Sequence, residues 1–214
     1  MKLSEWQKLY KKPETLIVQA SVKNGSDSWQ PFPIGMCWGY TVCDIKSKKL
    51  QIGNHDKTIF CGISEKTDSR RRGNHAINRS TIIKTLKNNY ITNEQLPIRE
   101  YFERLPNYKF VISPEGNGID CHRHYEALIA GCIPVMERNP LIEEKYKGLP
   151  ILYTTDYSEI NEKYLNEKYL MMKDCTYDFS RLFLSFYSDE EKKMIYDCGN
   201  YWVNTVTRKK YYDV

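Results

Sequence analysis

Long apolar runs are missing from the sequence, and their absence excludes a membrane-spanning helix within these 214 residues. The first twelve residues, MKLSEWQKLYKK, also lack the apolar core of a signal peptide. The seven cysteines are odd in number and contain no CxxC pair. The expectation is therefore a cytoplasmic protein with reduced thiols.

A strong charge of one sign is missing as well. The net charge of +5 is mild and dispersed, which fits an anionic substrate but does not by itself indicate nucleic acid. Basic and aromatic residues are not interleaved as they are in proteins that bind RNA. Neither a GxGxxG run nor a Walker sequence occurs, and this excludes nicotinamide-dependent dehydrogenases and P-loop nucleotide hydrolases.

The composition is that of a globular protein, with 41% hydrophobic and 28% charged residues. From residue 57 onward, short apolar runs alternate with amphipathic stretches. This alternation predicts an α/β fold with a doubly wound, mostly parallel Rossmann-like sheet. The predicted strands are 58–63, 90–92, 110–112, 133–136 and 150–153. The predicted helices are 74–87, 98–105, 120–131, 140–146, 161–172, 179–186 and a last one from 189 to about 211.

The first 56 residues differ from the rest of the chain. They contain one predicted strand, 15–22, and a stiff PFPIG connector at 31–35, whose two prolines and glycine oppose regular structure. The predicted organisation is therefore an N-terminal extension and linker at 1–56, followed by a Rossmann-like domain with C-terminal helices at 57–214.

Two loops that follow predicted strands are expected to form a binding site, because open parallel sheets bind ligands at the carboxyl ends of their strands. Residues 64–72 include three consecutive arginines, and residues 113–120, SPEGNGID, combine glycines with the start of a helix. Guanidinium groups, backbone N–H groups and a helix N-terminus together favour a diphosphate. Alone, the arginines are more typical of a solvated surface, and an RNA-binding patch is the other alternative.

The helix after the second loop is expected to have one buried face and one face that is available to a ligand. The buried stripe consists of Tyr125, Leu128, Ile129 and Cys132. His122, Arg123 and Glu126 lie largely off this stripe, so that Arg123 is placed to reach a phosphate and Glu126 to accept both hydroxyls of a ribose. Cys121, His122 and His124 are not expected to bind a metal, because adjacent residues of a helix point in different directions.

Residues 110–136 closely resemble the donor-binding motif of the exostosin-like glycosyltransferases, which have the GT-B fold. In that family a strand is followed by the pattern SPxGxGxDxxRxxEALxxGxIPV. The matching positions are Ser113, Pro114, Gly116, Gly118, Asp120, Arg123, Glu126, Ala127, Leu128, Gly131, Ile133, Pro134 and Val135. The PFPIG run at 31–35 resembles the interdomain linker of the family, and Ser64, Thr67 and Arg70 resemble its FSxxTxxxR segment.

The resemblance implies a hexosyl or pentosyl transferase that moves a sugar from a nucleoside diphosphate sugar, UDP- or GDP-linked, to a glycan acceptor. It implies no obligatory metal and no cofactor apart from the donor substrate. Arg70 and Arg123 would contact the diphosphate, and Glu126 the ribose. The residues predicted to bind the nucleotide sugar are Ser64, Arg70, Arg72, Ser113, Gly116, Asn117, Gly118, Asp120, His122, Arg123 and Glu126.

The chain departs from the family in one respect. A GT-B enzyme has an acceptor-side domain before the linker, but only about thirty residues precede the linker here. Either a partner protein or a second copy of the chain supplies the acceptor side, or residues 1–56 form a reduced one. The alternative function is a non-catalytic nucleotide-sugar-binding module, or a subunit of a larger transferase. Carboxylates near the loops are the candidates for the general base, and Glu115 is favoured over Asp56, Glu65 and Asp68.

Overall fold

A parallel sheet of four strands forms the centre of the protein. The computed structural model describes residues 34–37, 50–73 and 76–201. The strands are β1 (Lys57–Phe60), β2 (Tyr108–Ile112), β3 (Ile133–Glu137) and β4 (Leu152–Thr154), in the spatial order β1-β2-β3-β4. All three pairings are parallel. Such strands are buried on both faces, which explains why they appear in the sequence as continuous apolar runs.

Helices connect the strands and follow the last one. They are α1 (Ser69–Arg72), α2 (Arg79–Asn88), α3 (Ile98–Arg104), α4 (His122–Ile129), α5 (Pro140–Lys145), α6 (Glu162–Met172) and α7 (Asp189–Tyr201). Short 3-10 turns occur at Leu105–Asn107, Tyr157–Glu159, Ser180–Leu182 and Leu184–Phe186. Within the described residues, no helix is long and apolar enough to cross a membrane.

The helices cover both faces of the sheet, as the alternating side chains of β2 demonstrate. Phe110 and Ile112 belong to a core that includes residues of α2 and α6. Val111, between them, belongs to the opposite core, which includes residues of α3, α4, α5 and α7. Two helical layers therefore enclose one parallel sheet, and the predicted α/β Rossmann-like fold is confirmed.

Asparagine side chains fix the starts of two helices. The Asn78 side chain accepts a hydrogen bond from Thr81 N–H at 2.9 Å, and Thr81 Oγ1 accepts one from Asn78 N–H at 3.0 Å. This capping box begins α2 at Arg79, five residues later than the helix predicted from residue 74. In the same way, Asn161 caps α6 by accepting a hydrogen bond from Tyr164 N–H at 3.0 Å.

The strand predicted at 90–92 is absent, so this prediction is wrong. Tyr90 has a φ of 62°, a left-handed conformation that ends α2. Asn93 then pairs with both backbone groups of Ile63. Its Oδ1 accepts from Ile63 N–H at 2.7 Å and its amide nitrogen donates to the Ile63 carbonyl at 3.0 Å. An asparagine side chain thus pairs with the backbone of the segment that follows β1.

The helix predicted at 179–186 is also wrong, because the segment forms two 3-10 turns. Phe183 separates them with extended φ and ψ values of −110° and 145°. Helix α7 begins at the predicted residue, Asp189, and is described to Tyr201. The rest of the helix predicted to about residue 211 lies outside the described residues.

The described parts of the N-terminal extension pack against the α/β body. Met36 is buried. The two ring nitrogens of His55 lie 2.5 and 2.7 Å from backbone carbonyl oxygens of the body. The strand predicted at 15–22 lies outside the described residues. The division of the chain at residue 56 therefore stays a prediction.

Candidate active site

The two loops predicted to bind the ligand lie side by side at the carboxyl edge of the sheet, where one follows β1 and the other follows β2 and leads into α4. Arg79, the first residue of α2, connects them. Its guanidinium donates hydrogen bonds to the carbonyl oxygens of Ser64 at 3.2 Å, Pro114 at 3.0 Å and Glu115 at 2.9 Å. One buried side chain therefore holds both loops at a defined spacing.

Gly116 of the second loop lies next to Thr67 of the first loop. A Cβ atom on this residue would lie 3.0 Å from Nη2 of Arg79 and 3.3 Å from both Cys121 Sγ and Thr67 Cγ2. The Gly116 N–H donates to the Gly118 carbonyl at 2.9 Å and closes the turn. A Cβ atom here would be tighter than an ordinary van der Waals contact, so that neighbours from both loops would have to shift by a few tenths of an ångström.

Arg72, predicted to bind the nucleotide sugar, is buried in an ion-pair cluster. Its guanidinium lies 2.7 Å from Glu115 and 2.8 Å from Glu137, and Asp68 lies 3.8 Å away. Burial opposes the charge, but Glu137 and Glu115 outweigh it and raise the pKa of Arg72 above its usual value. These contacts place Arg72 beneath the loops as a bridge between the ends of β2 and β3.

Glu115, the favoured general base, is part of the same cluster. It is buried, accepts from Arg72 and also accepts a hydrogen bond from the Asn139 amide at 3.1 Å. Its backbone N–H donates to Glu137 at 3.0 Å. A carboxylate in an ion pair with arginine is a weak proton acceptor. Its role as base stays a prediction, and the geometry does not favour it. Of the alternatives, Asp68 is also buried and accepts from Arg79 N–H at 2.8 Å, whereas the other two are exposed.

Asp120 is a buried carboxylate with four partners. It accepts hydrogen bonds from Tyr125 Oη at 3.0 Å and Ile34 N–H at 2.8 Å, and short ones from Lys145 and Tyr146. Burial disfavours its charge, but Lys145 more than compensates and lowers the pKa of Asp120. Helix α4 begins at residue 122 rather than at the predicted residue 120, because Cys121 has an extended backbone conformation with φ and ψ of −135° and 143°.

His122 and Glu126 also contact the linker. His122 Nδ1–H donates to the Gly35 carbonyl at 2.6 Å, and Glu126 Oε1 accepts from Cys37 N–H at 3.4 Å. Together with the Asp120–Ile34 hydrogen bond, these contacts fix residues 34–37 along α4. Three residues of the predicted site therefore hold the linker in place.

Arg123 lies partly exposed at the start of α4, as the helical pattern predicts. Its Nη1 donates to the Gly62 carbonyl at 2.5 Å, and its guanidinium lies 5.3 Å from the ring centre of Tyr101. The Tyr101 hydroxyl donates to Glu126 at 3.0 Å. Arg123 and Glu126 thus share one aromatic neighbour, although Glu126 itself is buried.

Cys121 and His124, which the sequence also brings near His122, are directed into the protein. His124 accepts from the Ser113 hydroxyl at 2.7 Å and donates to the Ile119 carbonyl at 3.3 Å. Burial lowers the pKa of His124 to about 4 and raises the pKa of Cys121 to about 12. Across the described residues, no group of three or more His, Cys, Asp or Glu side chains is arranged to hold a metal ion.

The remaining predicted residues are on the loops themselves. Ser64 and Asn117 are exposed and Gly118 is half-buried, whereas the side chain of Arg70 lies outside the described part of the structure. Arg79 and Glu137 were missed by sequence analysis. Glu137 ends β3 at the carboxyl edge, so the rule that identified the two loops could also have identified it.

Residues 40–195 match the family described as the RXYLT1 C-terminal domain. The chain belongs to this family. The RXYLT1 C-terminal domain is of the exostosin-like glycosyltransferase type, so the resemblance noted in the sequence is confirmed. The matched range includes β1 to β4 and both loops, which places the whole candidate site inside the RXYLT1 C-terminal domain. No curated protein matches the chain.

Proposed function

We propose that the chain transfers a sugar from a UDP- or GDP-linked donor to a saccharide acceptor and binds the donor diphosphate between the two loops. The observation that carries this proposal is the convergence of both loops, Arg123 and the N-terminus of α4 at one edge of the sheet. Cys121 provides no side-chain cap for α4, and the first turn contains no acidic residue. The helix start therefore favours an anion.

Arg123 is the proposed contact to the diphosphate. In the structure its guanidinium donates to the backbone carbonyl of Gly62. A phosphate oxygen is a stronger acceptor than a neutral carbonyl, so an exchange of partners on binding is favourable. The cation and the helix start would stabilise charge on the leaving diphosphate, which is the role that a metal has in other transferases. Arg70 remains the second proposed contact.

Glu126 is the proposed contact to the ribose. Its two oxygens already accept from Tyr101 and Cys37, but an ionised carboxylate offers about four lone-pair directions. The existing contacts orient the carboxylate, and a ribose hydroxyl would use the remaining directions. In this arrangement Glu126 joins the donor, the linker and α3.

A second function is favoured by one observation. Glu115, the favoured base, is buried and paired with Arg72. A donor-binding module whose base and acceptor site come from a partner protein or a second copy of the chain would have this property. The partner and the cytoplasmic location remain predictions.

Calorimetry with a panel of nucleoside diphosphates tests donor binding. We expect one nucleotide to bind, and we expect Arg123→Ala to weaken it by roughly 10- to 150-fold, the loss of a hydrogen bond to a charged group. Arg99→Ala is the matched control, because Arg99 is exposed and pairs with Glu103 in its own helix. Unchanged affinity in Arg123→Ala would refute the site assignment, and a panel without any binding would refute the proposed function.

Labelled donor separates the two candidate functions. The isolated chain is expected to hydrolyse or transfer the sugar, and to do so equally with and without a chelator. Binding without turnover would instead support the module, and loss of activity with the chelator would contradict metal independence.

A further inference from the structure

Arg79 hydrogen-bonds to the backbone of both loops through a single side chain. Its exposed fraction is 8%. Nη1 donates to the Ser64 carbonyl of the first loop, and Nε and Nη2 donate to the Glu115 and Pro114 carbonyls of the second. These three donors belong to one rigid plane, so the guanidinium fixes the loops relative to each other in both distance and direction.

The acceptors of Arg79 are neutral. Among the described residues, no carboxylate lies within ion-pair distance of its guanidinium, and the neighbouring Asp68 accepts from the backbone N–H instead. Burial lowers the pKa of Arg79, and the attraction of the more distant Asp68 and Glu137, together with the carbonyl dipoles, offsets this cost only in part. Arg72, by contrast, forms close ion pairs with the carboxylates of Glu115 and Glu137. Arg72 therefore pairs with carboxylates, whereas Arg79 binds the backbone carbonyl groups of the two loops.

We propose that Arg79 is a positioning residue for donor binding, which holds the loop after β1 and the loop after β2 at the spacing that a diphosphate requires. The inference rests on the proposed function for its ligand. Arg79 acts through the loop backbones and does not touch the substrate. A Cβ atom on Gly116 would lie 3.0 Å from Nη2 of Arg79, so the guanidinium lies against the backbone of the loop that is proposed to bind the anion.

The decisive variant is Arg79→Lys, which keeps the charge and removes the planar fork. We expect uridine diphosphate, or the nucleotide identified by the panel, to bind about 10- to 100-fold more weakly, the effect of a displacement of about 1 Å in a positioned site. Ile82→Val is the matched control, because Ile82 is buried on the same helix and packs in the core that includes α6. If Arg79→Lys binds the nucleotide with an affinity within twofold of this control, the proposal is overturned.

Hydrogen exchange provides a readout that does not depend on the nucleotide. In Arg79→Lys the amides of Thr67 and Gly116, one from each loop, are expected to exchange faster together, whereas Ile82→Val leaves both protected. Faster exchange in only one loop, or in neither, would contradict the proposal. If the wild-type chain binds no nucleoside diphosphate, the proposed function fails while this measurement still decides whether Arg79 couples the loops.

A second variant disturbs the position of the Arg79 guanidinium through a substitution in the second loop. Gly116→Ala places a Cβ atom 3.0 Å from Nη2 and displaces the guanidinium without changing it. We expect the same combined loss of protection in the two loops. Wild-type exchange in both loops of Gly116→Ala would overturn the inference even if Arg79→Lys failed to fold.

Discussion

Replacement of Asp120 by alanine is expected to lower the free energy of unfolding by about 3–5 kcal/mol, the usual cost of removing one partner from a buried ion pair. Burial lowers the pKa of Lys145, whose side chain is 6% exposed, and the variant removes the carboxylate that offsets this burial. Tyr146 and the Ile34 N–H would lose an acceptor as well. Urea unfolding followed by circular dichroism measures the change.

Two controls distinguish an unpaired buried charge from a general weakening of the site. The double variant Asp120→Ala with Lys145→Met is expected to be more stable than Asp120→Ala alone, because it removes the stranded cation. Glu103→Ala breaks an ion pair whose partners are 87% and 60% exposed, and is expected to cost at most about 1 kcal/mol. Equal losses for Asp120→Ala and Glu103→Ala would show that the buried pair contributes little.

The same carboxylate predicts a dependence of stability on pH. Lys145 outweighs burial and lowers the pKa of Asp120 below its ordinary value of 3.8. The unfolded chain therefore takes up the proton first as the pH falls. The stabilisation is fully present above about pH 4 and is lost as the pH drops through the lower folded value. We expect wild-type stability to fall more steeply than that of Asp120→Asn below pH 4. Parallel profiles would contradict the assignment.

The sheet could be predicted from the sequence because its strands are buried on both faces. Residues 110–112 and 133–136 are continuous apolar runs, and the structure extends each by only one or two residues. The failed predictions concern segments whose structure depends on single backbone angles or on distant partners. Tyr90 adopts a left-handed conformation and Phe183 an extended one. Neither conformation can be predicted from the residue type alone.

The location of the site could be predicted because loops that follow neighbouring parallel strands must meet at one edge of the sheet. The roles of the individual residues could not be predicted. A helical pattern describes contacts with the core beneath its own helix, and it placed Glu126 on an accessible face. Tyr101, 25 residues away, and Cys37, 89 residues away, cover that face instead. Asp120 is occupied in the same way by Ile34, 86 residues earlier.

Through these long-range contacts, residues of the exostosin-like motif also have a structural role in this chain. Asp120, His122 and Glu126 each bind backbone groups of residues 34–37. The helix that would bind the donor is therefore the same helix that fixes the linker. Residues 34–37 are therefore held at a defined position relative to the proposed donor site. A direct transfer requires the donor and the acceptor to be positioned relative to each other.

Replacement of Arg72 by methionine is expected to be as damaging as the Asp120 variant, with a loss of about 3–5 kcal/mol. Methionine keeps much of the side-chain length but leaves Glu115 and Glu137 buried and facing each other without a cation. Urea unfolding of wild type and variant at one pH, followed by circular dichroism, measures this loss.

The variant also decides between the two roles of Arg72. If it bridges the loops, Arg72→Met with Glu137→Gln recovers part of the lost stability, and Arg104→Met, which removes two ion pairs of an arginine 40% exposed, costs no more than about 1 kcal/mol per pair. If Arg72 also contacts the diphosphate, its removal lowers nucleotide affinity, and Glu137→Gln does not restore that affinity. The second outcome would mean that Arg72 leaves its carboxylates when the donor binds. The positive charge of Arg72 would then serve to bind the donor, in addition to stabilising the fold through its ion pairs with Glu115 and Glu137.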